Sequence, residues 1–180
     1  MTPIERYPVH TIGHSTRNIV EFVELLKLGR VDLVVDIRSI PRSRTNPQFN
    51  LTDFPEALAD WQIGHTYIKE LGGRRNKSKT VPVEVNGFWT NQSFHNYADY
   101  ALSDEFELGL SRLLDLSRVR RCAIMCSEAV WWRCHRRIVA DYLLHEGTSV
   151  FHLMGPTRAE PATLTKAAMP RGGSLVYPVS

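Results

Sequence analysis

Short apolar runs recur five times along the chain, interleaved with segments of helical spacing, and this alternation restricts the fold more than any other feature. The runs are His10-Thr11-Ile12-Gly13, residues 32–38, His65-Thr66-Tyr67-Ile68, residues 121–125 and residues 149–153. Between the first two, Ile19, Phe22, Val23 and Leu26 repeat at helical spacing, with Thr16 or Asn18 placed to cap and Gly29 to end the helix. A second helix is expected from Thr52 or Asp53 to Gln62, with Pro55 in its first turn. Two more are expected within residues 93–116, broken near Ser103, and a last one over residues 130–145, ended by Gly147. Residues 174–178 can add an edge strand, while residues 74–90 lack periodicity and read as a mobile loop or lid. Strands alternating with helices at this spacing predict an α/β fold: a mostly parallel sheet of about five strands with helices on both faces. One domain over residues 1–180 is expected, with a core at 9–154 and a tail at 155–180.

Parallel strands send their carboxyl ends to one rim, where open α/β sheets bind ligands. Four polar clusters follow apolar runs and would share that rim: His14 and Ser15, Asp36 and Arg38, Glu70 and Arg74, Cys126 and Glu128. The densest chemistry is Cys126-Ser127-Glu128-Ala129-Val130-Trp131-Trp132-Arg133-Cys134-His135-Arg136-Arg137, read as a turn opening a helix. Cys126 is the candidate nucleophile, because a helix N-terminus and nearby arginines favour a thiolate. It can equally be a core thiol that ends a strand. Glu128 can cap the helix, or pair with Asp36 as acid and base or as ligands to a divalent cation, which nothing in the sequence requires. On a helical wheel Trp131, Cys134, His135, Ile138 and Tyr142 share the sheet-facing side, so Cys134 reads as core and His135 either as core or as a group orienting a carboxylate. Arg136 lies on the shoulder and suits a ligand.

Arg38, Arg42 and Arg44 make one basic loop, and Arg74, Arg75, Lys77 and Lys79 another. Two such loops beside a polar rim suit an anion such as phosphate. Phe88, Trp89, Trp131 and Trp132 can stack a base or sugar, or fill the core. The formal charge of +3 does not by itself imply nucleic acid. No apolar run approaches the roughly 18 residues of a membrane span. The stretch Met1-Thr2-Pro3-Ile4-Glu5-Arg6-Tyr7-Pro8 lacks the apolar centre of a secretory signal, so a cytoplasmic protein is expected. Three cysteines make no disulfide framework. Cys122 and Cys126 on one strand would be ~13 Å apart. Cys126 can approach Cys134 across the turn, which leaves a redox pair open. A zinc site from Cys126, Cys134, His135 and His14 meets the objection that strand and helix send the two cysteines to different environments.

Taken in order, Thr11-Ile12-Gly13-His14-Ser15, Val35-Asp36-Ile37-Arg38-Ser39-Ile40-Pro41-Arg42-Ser43, Glu70-Leu71-Gly72-Gly73-Arg74, and Met125-Cys126-Ser127-Glu128 with Cys134-His135-Arg136 resemble the family catalogued as domain of unknown function 488, over residues 9–154. The resemblance implies one α/β domain and marks these positions as the family's site, without supplying a reaction. The strand ending Asp36-Ile37-Arg38, with a later strand leading into Cys126, is more faintly similar to rhodanese-like and phosphatase loops. Here, however, six residues separate Cys126 from Arg133, and bulky Trp131 and Trp132 stand where a tight anion cradle needs small residues.

Three functions remain open on the sequence. The first is a hydrolase or transferase acting on a nucleotide, phosphorylated metabolite or nucleic-acid end. In it Asp36, Glu128, Cys126 and His135 are catalytic, and His14, Ser15, Arg38, Arg42, Glu70, Arg74 and Arg136 bind substrate. The second is a non-catalytic nucleic-acid-binding module. The third is rhodanese-like or redox thiol chemistry through Cys126.

Overall fold

The computed structural model describes residues 5–155 and 157–180. Residues 1–4 of the N-terminal stretch, and Pro156 after Gly155, lie outside the described residues. The strands are β1 (Val9–Gly13), β2 (Leu33–Asp36), β3 (Gly64–Tyr67), β4 (Cys122–Cys126), β5 (Val150–Gly155) and β6 (Arg158–Pro161), in sheet order β3-β2-β4-β1-β5-β6. All pairings are parallel except β5 with β6. The mostly parallel α/β architecture is therefore as expected, with one antiparallel edge strand more than the apolar runs announce. Strand β6 reads Arg-Ala-Glu-Pro and is largely exposed, so it lacks the hydrophobic signal of a buried strand. Residues 174–178 do not join this sheet: β7 (Met169–Arg171) and β8 (Ser174–Val176) form a separate hairpin across Gly172 and Gly173, both at positive φ.

Among the described residues five α-helices surround the sheet: α1 (Ile19–Leu28), α2 (Phe54–Ala59), α3 (Gln92–Tyr100), α4 (Asp104–Leu116) and α5 (Arg136–His145). Asn18 rather than Thr16 caps α1, through a capping box with Glu21. Alternation along the strands splits the core in two. Val34, Ala123 and Met125 pack with α1 and α2, whereas Leu33, Val35, Cys122 and Ile124 pack with α3, α4 and α5. Among the described residues no helix is long and apolar enough to cross a membrane.

The last helix starts six residues later than its periodicity suggests. Residues 131–133 make a 3-10 turn, Cys134 is extended (φ −130°, ψ 152°), and α5 begins at Arg136. Trp131 is drawn sideways onto His152, with ring centroids 4.4 Å apart and planes 5° from parallel, so it cannot join a helical face. The expected lid is also only partly free. Asn86 is buried, donates to Asp99 Oδ1 at 2.8 Å and accepts from the Tyr177 amide at 2.9 Å. The Phe88 amide donates to the Tyr177 carbonyl, and Trp89 is buried against the Tyr177 ring.

Strands β1 and β4 are neighbours, yet the helices after them cover opposite faces, α1 one and α5 the other. The chain therefore diverges beyond their carboxyl ends and opens a crevice there, as at the switch points of doubly wound sheets.

Candidate functional site

A cleft of about 750 Å³ occupies that crevice. His14, Ser15, Arg38, Arg42, Arg74, Cys126, Glu128 and His135, all candidate site residues on the sequence, line it. Asp36, Glu70 and Arg136 do not. Four arginines, Arg38, Arg42, Arg74 and Arg133, and a single carboxylate, Glu128, are among the residues that line the cleft.

Asp36 lies beneath the floor, fully buried. Its carboxylate takes Arg38 in a fork, Nε to Oδ1 at 2.9 Å and Nη2 to Oδ2 at 2.7 Å, and His65 Nε2 is 3.5 Å from Oδ2. Arg38 also donates to the Phe49 carbonyl at 2.7 Å and, through Nη1, to His14 Nε2 at 3.4 Å. His14 Nδ1 donates to the Ser15 carbonyl at 2.8 Å, so Nε2 is free to accept from Arg38. Burial, opposed by the Ser15 bond, lowers the His14 pKa and keeps the ring neutral. Ser15 holds a left-handed backbone (φ 49°) at the turn after β1.

The two carboxylates thus stay apart: Asp36 is occupied in positioning Arg38, and Glu128 is exposed at the cleft wall. Glu70 turns away, packing its Cβ where α4 leaves room at Gly109. A paired acid and base does not form, because Arg38 lies two residues beyond Asp36 on the same strand side and satisfies it locally. Burial raises the Asp36 pKa, but the nearby His65 ring and the bonds from Arg38 prevail and hold it below the ordinary carboxylate value. That stabilisation is complete above about pH 4 and is lost as pH falls through the lowered native value. Urea unfolding midpoints are expected to decline already as pH falls from about 7, because the His14 and His152 rings are held neutral in the native state and protonate more readily in the unfolded chain, with the Asp36 loss added below about pH 4.

Across the sheet edge from His14 lies the thiol pair. Cys126 ends β4 and Cys134 lies two residues before α5, and their sulfurs are 2.6 Å apart with both thiols free. Cys134, expected on the inner face of a helix, is buried but faces the cleft, because the helix starts after it. The α5 N-terminus therefore serves Cys134, not Cys126. The Arg136 amide lies 3.4 Å and its Nε 3.5 Å from the Cys134 sulfur, and His135 Nδ1 is 3.4 Å away. His135 Nε2 donates to the Ile37 carbonyl at 2.9 Å, which turns Nδ1 toward that sulfur. Burial disfavours a charged Cys134, but the Cys126 thiol, His135 and Arg136 outweigh it and carry its pKa well below the ordinary thiol value. Cys126, raised by burial and by its neighbour, keeps its proton and donates it. Cys122, at the far end of β4, is pushed up to about 12 by burial and is inert.

Arg136 is the counterpart. Its side chain is fully buried, and among the described residues no carboxylate lies within 4.0 Å of it. It donates to the Glu128 carbonyl at 2.7 Å and to Thr11 Oγ1 at 3.4 Å. Thr11 Oγ1 is in turn 2.7 Å from His152 Nδ1. Burial and Arg136 together lower the His152 pKa to about 4, so that ring is neutral near pH 7. A buried cation demands an anion, and the nearest candidate is the Cys134 sulfur. Sequence reasoning missed His152 and gave Thr11 no role of its own, because both act through strand adjacency; the motif Cys134-His135-Arg136 was the available signal. Among the described residues no group of three or more His, Cys, Asp or Glu is arranged to hold a metal ion.

Fold and site together define an open-sheet α/β protein with a dithiol and a buried guanidinium at the switch point of its sheet. The model of the family described as domain of unknown function DUF488 matches residues 18–143, and the chain belongs to that family. Neither a curated protein nor a solved structure matches the chain significantly.

Proposed function

We propose that the protein is a thiol-dependent enzyme, a transferase or hydrolase, acting on a small anionic substrate. The observation that carries this reading is the fully buried Arg136, without a carboxylate partner among the described residues, directly beside the Cys134 sulfur at the floor of an arginine-lined cleft. The cleft volume of about 750 Å³ suits a small molecule. Arg38, Arg42, Arg74 and Arg133 hold the negative charge of the substrate. The Cys134 thiolate forms a bond to the electrophilic atom, and the leaving group departs with the bonding electron pair, taking its proton from water. Water or a second acceptor then releases the covalent group from sulfur. Asp36 acts as a positioning residue through Arg38.

The test is the rate of alkylation by iodoacetamide against pH, resolved by peptide mass spectrometry. Reaction at Cys134 is expected to level off well below the ordinary thiol pKa of about 8.5, and to vanish in Cys134→Ser. An ordinary inflection near that value at every cysteine removes the thiolate and the proposal with it.

A further inference from the structure

Beyond that thiolate, the contact between the two sulfurs has a use of its own. We infer that Cys126 is the resolving partner of Cys134, and that the cleft carries out thiol–disulfide exchange with a low-molecular-weight disulfide bearing carboxylates. The inference rests on the proposed Cys134 nucleophile and gives it a further reaction, a thiol–disulfide exchange.

Three features support it. First, the sulfurs already touch, so the second thiol reaches the first without movement of either backbone. Second, both residues line the same cleft, so a substrate bound to Cys134 stays within reach of Cys126. Third, Arg136, His135 and the first amide of α5 all favour the charged sulfur. Groups that stabilise the reduced thiolate make the corresponding disulfide a ready oxidant, so a bridge formed here is easily reopened. The arginines and the Ser15, Ser39 and Ser43 hydroxyls around the cleft suit carboxylates on the substrate.

In the first step the Cys134 thiolate attacks one sulfur of the disulfide RSSR. A Cys134–SR bond forms, the S–S bond of RSSR breaks, and RS⁻ leaves with the electron pair. In the second, Cys126 gives up its proton to His135 or solvent and attacks the Cys134 sulfur. The internal disulfide forms and the second RS⁻ departs. Two electrons pass from the protein dithiol to the substrate, which is reduced to two thiols. Excess RSH reverses both steps.

The experiment treats the reduced protein with oxidised glutathione, which carries carboxylates, and in parallel with cystamine, which carries amines on the same disulfide. Intact mass and peptide mapping follow the thiols. Oxidised glutathione is expected to convert the wild type to a Cys126–Cys134 disulfide with no retained adduct, at least about tenfold faster than cystamine does. Excess reduced glutathione should restore both thiols. Cys126→Ser should retain one glutathione on Cys134, and Arg42→Ser with Arg74→Ser should erase most of the preference over cystamine. A stable adduct on Cys134 of the wild type, or a bridge that resists excess reduced glutathione, overturns the resolving role of Cys126. Equal rates with the two disulfides overturn the substrate class. If alkylation still shows an acidic Cys134 in those cases, the proposed function stands and only this inference fails; an ordinary Cys134 pKa ends both.

Discussion

Arg136→Met is expected to lower unfolding stability by about 3 kcal/mol and to abolish alkylation of Cys134 at low pH. The stability loss follows from the contacts removed. The guanidinium satisfies the Glu128 carbonyl and the Thr11 hydroxyl in a fully buried place, and methionine supplies no donor to either. Stripping one partner from a buried charged arrangement costs about 3–5 kcal/mol. Methionine's apolar volume offsets part of this, so the lower end is expected. The chemical loss has a different origin. With the cation gone, burial acts on Cys134 opposed only by Cys126, His135 and the helix terminus, and its pKa should rise. The same change removes the cation that depresses His152, whose pKa should move up from about 4. Urea unfolding, the alkylation profile and the histidine proton resonances read these three effects separately. Unchanged alkylation in a folded Arg136→Met variant would show that Arg136 does not sustain the thiolate.

Gly13→Ala is expected to disrupt the site still more, at a cost of about 3 kcal/mol or more. A methyl at residue 13 would overlap the Glu128 carbonyl oxygen and lie 2.6 Å from its carbon. Both obstacles are backbone, so neither can rotate aside. The loop after β4 must lift away from β1, and the bonds from His14 and Ser15 to the Cys126 and Ser127 carbonyls pull against that movement. The displaced carbonyl is also the acceptor for Arg136 Nη2, so the guanidinium loses its anchor together with the loop. Gly13→Ala should therefore reproduce the chemical phenotype of Arg136→Met although no ionisable group is altered. A variant with wild-type stability and alkylation would contradict the close approach of β1 to this loop.

The sheet was legible because each buried strand is an apolar run, and the rim because parallel strands end together. Strand β6 was not, since an exposed edge strand leaves no hydrophobic trace. The start of α5 was misplaced for a tertiary reason: Trp131 stacks on His152, a residue twenty-one positions away, and that contact outweighs local periodicity. The misplacement mattered, because it sent Cys134 to a helix interior and hid its contact with Cys126. Asp36 and Glu128 share the strand-end region in sequence, but no pattern discloses that Arg38 folds back onto Asp36. His14, Ser15, Arg38, Arg42 and Arg74 were found because a basic or polar residue just beyond a parallel strand has little space to occupy except the rim.

The hold of Tyr177 on Asn86 and Phe88 has a consequence for the order of events during synthesis. Trp89 lies between the Tyr177 and Phe94 rings, and Asn91, Ser93 and Phe94 form one wall of the cleft. That wall is clasped by a segment that follows both cysteines in the chain, so during synthesis the sulfurs are made before the residues that enclose them.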